Sequence, residues 1–131
     1  MGKHKIFREY GLKSSSANIL WSLISTSSGL QQWIADKVTN EGDMFSFTWG
    51  DPDGECETRT AQAIVSKKKF LIRFQWTDES DGAYWELHIV KSDLTNDYHL
   101  EVTDYAEDGE EDYINDIWEQ NLDNLHRNTG V

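Results

Sequence analysis

The chain has 131 residues with 24 acidic and 12 basic side chains, a net charge of −12 and an aromatic content of 12%. This length fits one domain, 1–131, and the aromatic content excludes a disordered chain, because disordered segments are poor in aromatic residues. The acidic balance argues against a nucleic-acid partner and an anionic membrane surface, since phosphate groups are bound by clustered lysine and arginine.

The N-terminal segment lacks the apolar core of a signal peptide, and no apolar run approaches transmembrane length. Cys56 is the only cysteine, so no intrachain disulfide can form and stability does not depend on an oxidising compartment. We therefore expect a soluble, cytoplasmic protein that does not insert into a membrane.

The N-terminal part of the chain predicts a strand and two short helices. Residues 5–13 alternate in polarity, and one face of this strand carries Ile6, Arg8, Tyr10 and Leu12. Ser14–Ser16 offer hydroxyl caps for a helix over 17–24, and Ser28 to Gln31 matches a capping box that predicts a second helix.

Alternating apolar residues then predict five further strands, over 44–49, 58–66, 70–76, 84–90 and 98–105. The third of them has Phe70, Ile72, Phe74 and Trp76 on one face. A breaker-rich turn over 50–54 separates the first two strands. Antiparallel strands with one apolar face must pack that face against another element.

The C-terminal segment predicts one long helix that covers the sheet. Asp108 is the expected cap, Glu110, Glu111 and Asp112 suit the positive end of the helix dipole, and Gly130 is the expected stop. Its apolar stripe opposes a series of carboxylates; the stripe is Ile114, Ile117, Trp118, Leu122 and Leu125, and the carboxylates are Glu111, Asp112, Asp116, Glu119 and Asp123. The element order predicts an α+β fold with this helix across a curved antiparallel sheet of about six or seven strands.

The sequence resembles the START-like, helix-grip superfamily that includes the birch-pollen allergen. Residues 24–38 carry the resemblance most specifically, and 47–49, 73–76, 84–86, 102–107 and 117–125 add to it. The residue pattern most resembles the branch of activators of the heat-shock-protein-90 ATPase and small START-like proteins of Bacteroidetes. Ser28 stands where the family pattern has proline, and Ile34 where it has an aromatic residue. The resemblance implies the fold and a cavity between sheet and long helix, but no particular ligand.

Nine side chains are candidates for binding a ligand in that cavity: Arg8, Tyr10, Phe45, Phe47, Phe74, Trp76, Trp85, Trp118 and Asn121. The aromatic members are equally consistent with a filled core. Arg8 and Asn121 are polar residues on otherwise apolar faces of their strand and helix. Arg8 and Asn121 therefore either contact the polar end of a ligand, or their hydrogen bonds are made by water and backbone.

The sequence contains no recognisable catalytic constellation. His4, His88, His99 and His126 form no pair at zinc-ligand spacing, Cys56 has no second cysteine, and nucleophile-elbow and phosphate-loop motifs are absent. We therefore predict no cofactor, no metal and no enzymatic activity.

Three functions remain open. The leading prediction is a non-catalytic module that binds a small apolar or amphipathic ligand. The first alternative is a protein-interaction or chaperone-cofactor-like domain with a filled core, in which the acidic C-terminal part meets a basic protein. From Glu101 to Val131 this part has ten acidic residues and one basic residue. The second alternative is a cofactor-free, cyclase-like enzyme.

Overall fold

A computed structural model describes residues 3–51 and 53–131, so Pro52, inside the predicted turn 50–54, lies outside the described residues. The strands are β1 (His4–Gly11), β2 (Lys37–Glu41), β3 (Met44–Gly50), β4 (Cys56–Lys67), β5 (Leu71–Trp76), β6 (Trp85–Lys91) and β7 (Tyr98–Ala106). The helices are α1 (Ala17–Ser25), α2 (Ser27–Leu30) and α3 (Glu111–Thr129).

The seven strands form one antiparallel sheet in the order β1-β7-β6-β5-β4-β3-β2. From β2 at one edge to β7, the strands follow one another in chain order. β1 is the exception, because it pairs with β7 at the opposite edge from β2, and α1 and α2 connect it to β2. The shift in register between Ala63 and Val65 is a bulge in β4, and such bulges bend a sheet. The predicted α+β, helix-grip fold is confirmed.

The two short helices meet at a tight corner whose caps differ in part from the prediction. The Ser16 hydroxyl accepts a hydrogen bond from the Ile19 amide and begins α1, as expected. The prediction that Ser28 caps α2 was wrong, because the hydroxyl of Thr26 accepts from the Gly29 amide instead. Thr26 ends α1 and begins α2 at once, so the capping position lies two residues earlier.

Two differences concern the strands. β2 was not predicted, because Val38 is its single buried residue and its sequence shows no clear alternation. Phe70 does not share the inner face of β5, since it precedes the strand and is exposed. Its amide donates to the Lys67 carbonyl in the turn before β5, which directs the chain into the strand only at Leu71.

The long helix α3 begins later than predicted. Asp108 does not cap it, because Asp108 and Gly109 form a turn that the Glu110 amide closes on the Glu107 carbonyl at 3.0 Å. Glu110 is the N-cap residue, without a side-chain cap bond. Gly130 ends the helix in the left-handed conformation, as expected. None of the helices among the described residues is long and apolar enough to cross a membrane.

The core fills the space between the inner face of the sheet and the three helices. Trp118, Leu122 and Leu125 are the buried side chains of α3, and Leu20, Leu23 and Ile24 those of α1. Ile114 is half-buried and Ile117 is exposed, so the apolar stripe of α3 turns away from the sheet toward its N-terminal end. Space remains between sheet and helix at that end.

Candidate functional site

A cleft of about 620 Å³ lies between the sheet and the N-terminal half of α3. The strand ends of β3 to β7 form its floor, and α3 forms the opposite wall. Its lining residues are Lys3, Ile34, Trp49, Glu57, Arg59, Trp76, Glu79, Ala83, Tyr84, Trp85, Asp104, Tyr105, Tyr113, Ile114, Asp116, Ile117, Trp118, Gln120 and Asn121.

Four indole rings form a continuous aromatic base in this cleft. The ring centroids of Trp49 and Trp76 are 6.2 Å apart, those of Trp76 and Trp85 are 5.5 Å apart, and those of Trp85 and Trp118 are 6.0 Å apart. The row crosses from β3 over β5 and β6 to α3, so it spans the cleft. The Trp49 indole donates to the Ile34 carbonyl at 2.9 Å, whereas the buried indole nitrogen of Trp85 has no partner among the described residues.

Asp104 is a carboxylate on the inner face of β7. Its Oδ2 accepts a 2.9 Å hydrogen bond from the Trp118 indole, and its Oδ1 accepts from the Tyr105 amide. Burial raises the pKa of Asp104, and these two hydrogen bonds oppose the rise only in part. Asp104 thus fixes Trp118 against the sheet and places a polar group beside the aromatic base.

The two cations of the cleft are already paired with carboxylates. Lys3 Nζ lies 2.9 Å from Glu79 and 3.2 Å from Asp81. The guanidinium of Arg59 makes two hydrogen bonds to Asp78, and it stacks over the Trp76 ring at 4.1 Å. The hydrogen bonds that Arg59 donates to Asp78 raise the pKa of Arg59 despite its partial burial. Both cations therefore have partners before any ligand enters.

The rim of the cleft on α3 is apolar. Tyr113 and Ile117 are one helical turn apart and are exposed, although both line the cleft. Exposed apolar side chains beside an aromatic cleft suit a ligand whose apolar part extends to the surface.

The predicted ligand-binding residues fall into three groups. Trp76, Trp85, Trp118 and Asn121 line the cleft. Phe45, Phe47 and Phe74 are buried in the core behind the cleft. The ring of Phe47 packs edge-on against those of Trp76 and Trp85, with centroid distances of 5.5 and 5.6 Å. Contact between any of these side chains and a ligand stays a prediction.

Arg8 and Tyr10 lie outside the cleft wall, on the inner face of the edge strand β1. Arg8 pairs with Glu119 of α3 and lies 5.8 Å from the centre of the Tyr10 ring. Burial raises the pKa of Tyr10. Together they attach the edge strand to α3, so the structure favours a packing role for both.

Sequence reasoning found Asn121 but missed the charged members of the cleft. Leu100 and Val102 face inward on β7, and Asp104, two residues further along, lies on the same face. The alternation of the sequence could therefore have predicted that Asp104 faces inward. Arg59 and Glu57 lie inward on β4 because they pair with Phe47 and Trp49 of β3. Their inward direction follows from the strand register, which the sequence of β4 alone does not specify.

The described polar groups that line the cleft are mainly carboxylates, two cations paired with carboxylates, and amides. Two groups of possible metal ligands among the described residues, His4 with Asp108 and Glu111, and Glu9 with His99 and Glu101, contain no residue that lines the cleft. The cleft combines an aromatic base, a buried carboxylate and paired cations, which suits binding and orientation of an amphipathic molecule.

Comparison with known proteins gives a consistent result. A family model described as a START-like superfamily domain matches residues 1–131. The solution structure of BfR322 from Bacteroides fragilis is 39% identical, covers 97% of this chain and 91% of its own, and superposes with a TM-score of 0.66. No curated protein matches the chain significantly.

Two more distant structures share the fold alone. The Aha1 dimer from Colwellia psychrerythraea is 15% identical with a TM-score of 0.71, and the match covers 97% of this chain and 98% of that one. The AHSA1-like protein from Aeromonas hydrophila is 14% identical with a TM-score of 0.76, over 97% of this chain and 92% of that one.

Proposed function

Because the chain belongs to the START-like superfamily, we propose that it is a non-catalytic module that binds a small apolar or amphipathic molecule in the cleft between the sheet and α3. The observation that carries this proposal is the open aromatic cleft of about 620 Å³, a volume within the range of about 300–1,000 Å³ usual for small-molecule sites.

The chemistry of the walls supports an amphipathic occupant. Burial of apolar ligand surface against the indole row contributes about 25 cal/mol per Å². Asp104 and Asn121 lie beside that row and offer hydrogen-bonding groups to a polar end. The exposed side chains of Tyr113 and Ile117 can cover the part of a ligand that extends from the cleft.

The experiment is a fluorescence titration with N-phenyl-1-naphthylamine, a neutral apolar probe, against three forms of the protein. Ala83 lines the cleft, so Ala83→Trp places a large side chain in it without removing a core residue. Leu94→Trp is the matched control, because Leu94 is 93% exposed and does not line the cleft. We expect probe binding to wild type and Leu94→Trp and a loss of at least about tenfold in affinity for Ala83→Trp, about 1.4 kcal/mol.

Equal binding to all three proteins, or no binding to any of them, contradicts the proposal. Native mass spectrometry of the protein purified from its own host then addresses the identity of the ligand, since a retained small molecule appears as an added mass.

The second candidate is a protein-interaction or cofactor-like role for the outer face of α3. Asp112 and Asp123 are exposed there, and within 3–51 and 53–131 neither of them forms an ion pair. A basic protein segment would supply the missing partners. Amide shifts confined to α3 on addition of a lysine-rich peptide, with no response of the cleft, support this role over the first.

A cytoplasmic location belongs to the same proposal. It is supported by the exposed free thiol of Cys56, which an oxidising compartment would leave open to intermolecular disulfides.

A further inference from the structure

The outer face of the sheet, opposite the cleft, carries a compact group of two histidines and two glutamates. Glu101 of β7 is the direct cross-strand partner of Glu9 on β1 and of His88 on β6. His99 lies two residues from Glu101 on the same strand and therefore on the same face. These four side chains occupy neighbouring positions on three adjacent strands.

The pairing of Glu9 with Glu101 is unfavourable by itself. Like charges directly opposite each other across an antiparallel pair destabilise the pair, because their side chains lie within about 5.5 Å at Cβ. The His99 imidazole lies beside both carboxylates, with its Nε2 3.1 Å from Glu101 Oε2 and 3.8 Å from Glu9 Oε1. One imidazole nitrogen thus faces both carboxylates.

The same three atoms have the spacing of metal ligands. Around a tetrahedral zinc ion with bonds of about 2.0–2.2 Å, ligand atoms are separated by about 3.3–3.6 Å. The measured separations of 3.1 and 3.8 Å bracket this value. The Nδ1 atom of His88 lies 3.5 Å from the other oxygen of Glu101, so His88 borders this group without belonging to it.

We propose that His99, Glu9 and Glu101 bind a late first-row divalent cation, for which Zn²⁺ is the probe. Imidazole nitrogen with carboxylate oxygen selects such ions over Mg²⁺ and Ca²⁺, which prefer oxygen alone. The two carboxylates balance the charge of the ion. The side chains of His99 and Glu101 are only 24% and 25% exposed. Their neighbours therefore restrict the positions of these two ligands.

The other histidine cluster serves as an internal control. His4 approaches Asp108 with Nδ1 at 3.5 Å and Glu111 with Nε2 at 2.6 Å. These nitrogens lie on different edges of the ring, so one ion cannot use both short approaches. The geometry therefore favours the site on β1 and β7.

The consequence of occupancy is mechanical. β1 is an edge strand held by β7 on one side only. A cation shared by Glu9, His99 and Glu101 would cross-link β1 to β7. Because the site lies on the opposite face from the cleft, it is independent of the proposed ligand-binding function.

The test is calorimetric titration of the untagged, chelator-treated protein with Zn²⁺ in a Cys56→Ser background, which removes the exposed thiol as a competing ligand. We expect one ion per chain, and a rise in melting temperature on Zn²⁺ addition that excess Mg²⁺ does not reproduce. His99→Asn and Glu101→Gln should each weaken Zn²⁺ binding at least about tenfold, and His88→Asn, which removes a neighbour of Glu101, should have a smaller effect.

The matched controls are His4→Asn and His126→Asn, which should keep the affinity of the parent protein. All substituted side chains are at least partly exposed, so unchanged circular dichroism of the variants without metal should confirm that they fold. Absence of Zn²⁺ binding, or binding that is lost in His4→Asn and retained in His99→Asn, overturns the proposal.

Discussion

Trp33 anchors the corner after α2 to the core. Its indole donates a 2.8 Å hydrogen bond to the Leu23 carbonyl, its ring lies 6.3 Å from that of Trp118, and only 1% of the residue is exposed. Trp33 therefore fills this corner. A single side chain thus connects α1, the corner after α2, and α3.

We expect Trp33→Ala to lower the free energy of unfolding by about 3–5 kcal/mol, because it removes a fully buried ring and leaves a cavity. Trp33→Phe should cost less, since it keeps a ring and loses the hydrogen bond, which is worth about 0.5–1.5 kcal/mol. Urea unfolding measures both. A loss below about 1 kcal/mol for Trp33→Ala would contradict the packing role.

Asp104 should make stability depend on pH. Burial raises its pKa above the ordinary value of 3.8, so the folded protein binds more protons at this site than the unfolded chain. The contribution of this carboxyl to stability is therefore present at low pH and is lost as pH rises from 3.8 through the raised pKa.

In Asp104→Asn this contribution is absent. We expect the free energy of unfolding of the variant to fall less than that of wild type across the same pH interval in urea titrations. Asp116→Asn is the control, because Asp116 also lines the cleft but is exposed, and it should follow wild type. Parallel pH profiles for Asp104→Asn and wild type would refute the assignment.

At the scale of elements, the corner between α1 and α2 depends on Gly29. A Cβ atom at this position would overlap the backbone carbonyl oxygen of Ser22 in α1, and backbone cannot move aside as a flexible side chain can. The close approach of the two helices therefore requires glycine at this position.

We expect Gly29→Ala to reduce the free energy of unfolding by about 1–3 kcal/mol, the usual cost of overpacking. Gly11→Ala is the matched control, since a Cβ there meets nothing within 4 Å and the backbone needs no glycine. Its stability should change by less than about 1 kcal/mol. Thermal or urea unfolding compares the two variants, and equal effects would argue against the close approach.

The elements could be predicted where one face is continuously apolar. Alternation placed β3, β5, β6 and β7 within about two residues, because their inner faces are buried along most of their length. β2 escaped prediction because four of its five residues are exposed. The starts of α2 and α3 were misplaced because several Ser, Thr and acidic residues compete as caps, and the turn before each helix decides between them.

The negative charge of the cleft and of the whole chain should disfavour anionic ligands. Lys3 and Arg59 are paired with carboxylates, while Glu57, Asp104 and Asp116 also line the cleft and form no ion pair among the described residues. The chain as a whole carries a net charge of −12. An anionic ligand therefore enters against both local and overall repulsion.

We expect N-phenyl-1-naphthylamine to bind more tightly than its anionic relative 8-anilino-1-naphthalenesulfonate at low salt. Added salt should reduce the difference, because it screens exposed charges over about 10 Å at 0.1 M. The double variant Glu57→Gln with Asp116→Asn should bind the anionic probe more tightly than wild type does. Tighter binding of the anionic probe to wild type would contradict the charge argument.

The fold class could be predicted from the sequence, whereas the cleft could be predicted only in part. Trp76, Trp85, Trp118 and Asn121 lie where an inward phase places them. Which inward side chains lie in the core and which line the cleft could not be predicted. Phe47 and Trp49 share one face of β3, but α3 is placed so that Trp49 lines the cleft and Phe47 is buried. That position results from the packing of Trp118, Leu122 and Leu125 against many partners at once.

The row of four indoles in the cleft also has an optical consequence. At centroid separations of 5.5 to 6.2 Å, the electronic transitions of neighbouring rings couple, and excitation passes between them before it is emitted. Four of the six tryptophans therefore couple along the site from β3 to α3, and Trp33, 6.3 Å from Trp118, extends the coupling into the core. A molecule that tilts a single ring changes the absorption, circular dichroism and emission of the whole row, so the native protein carries its own spectroscopic reporter of occupancy.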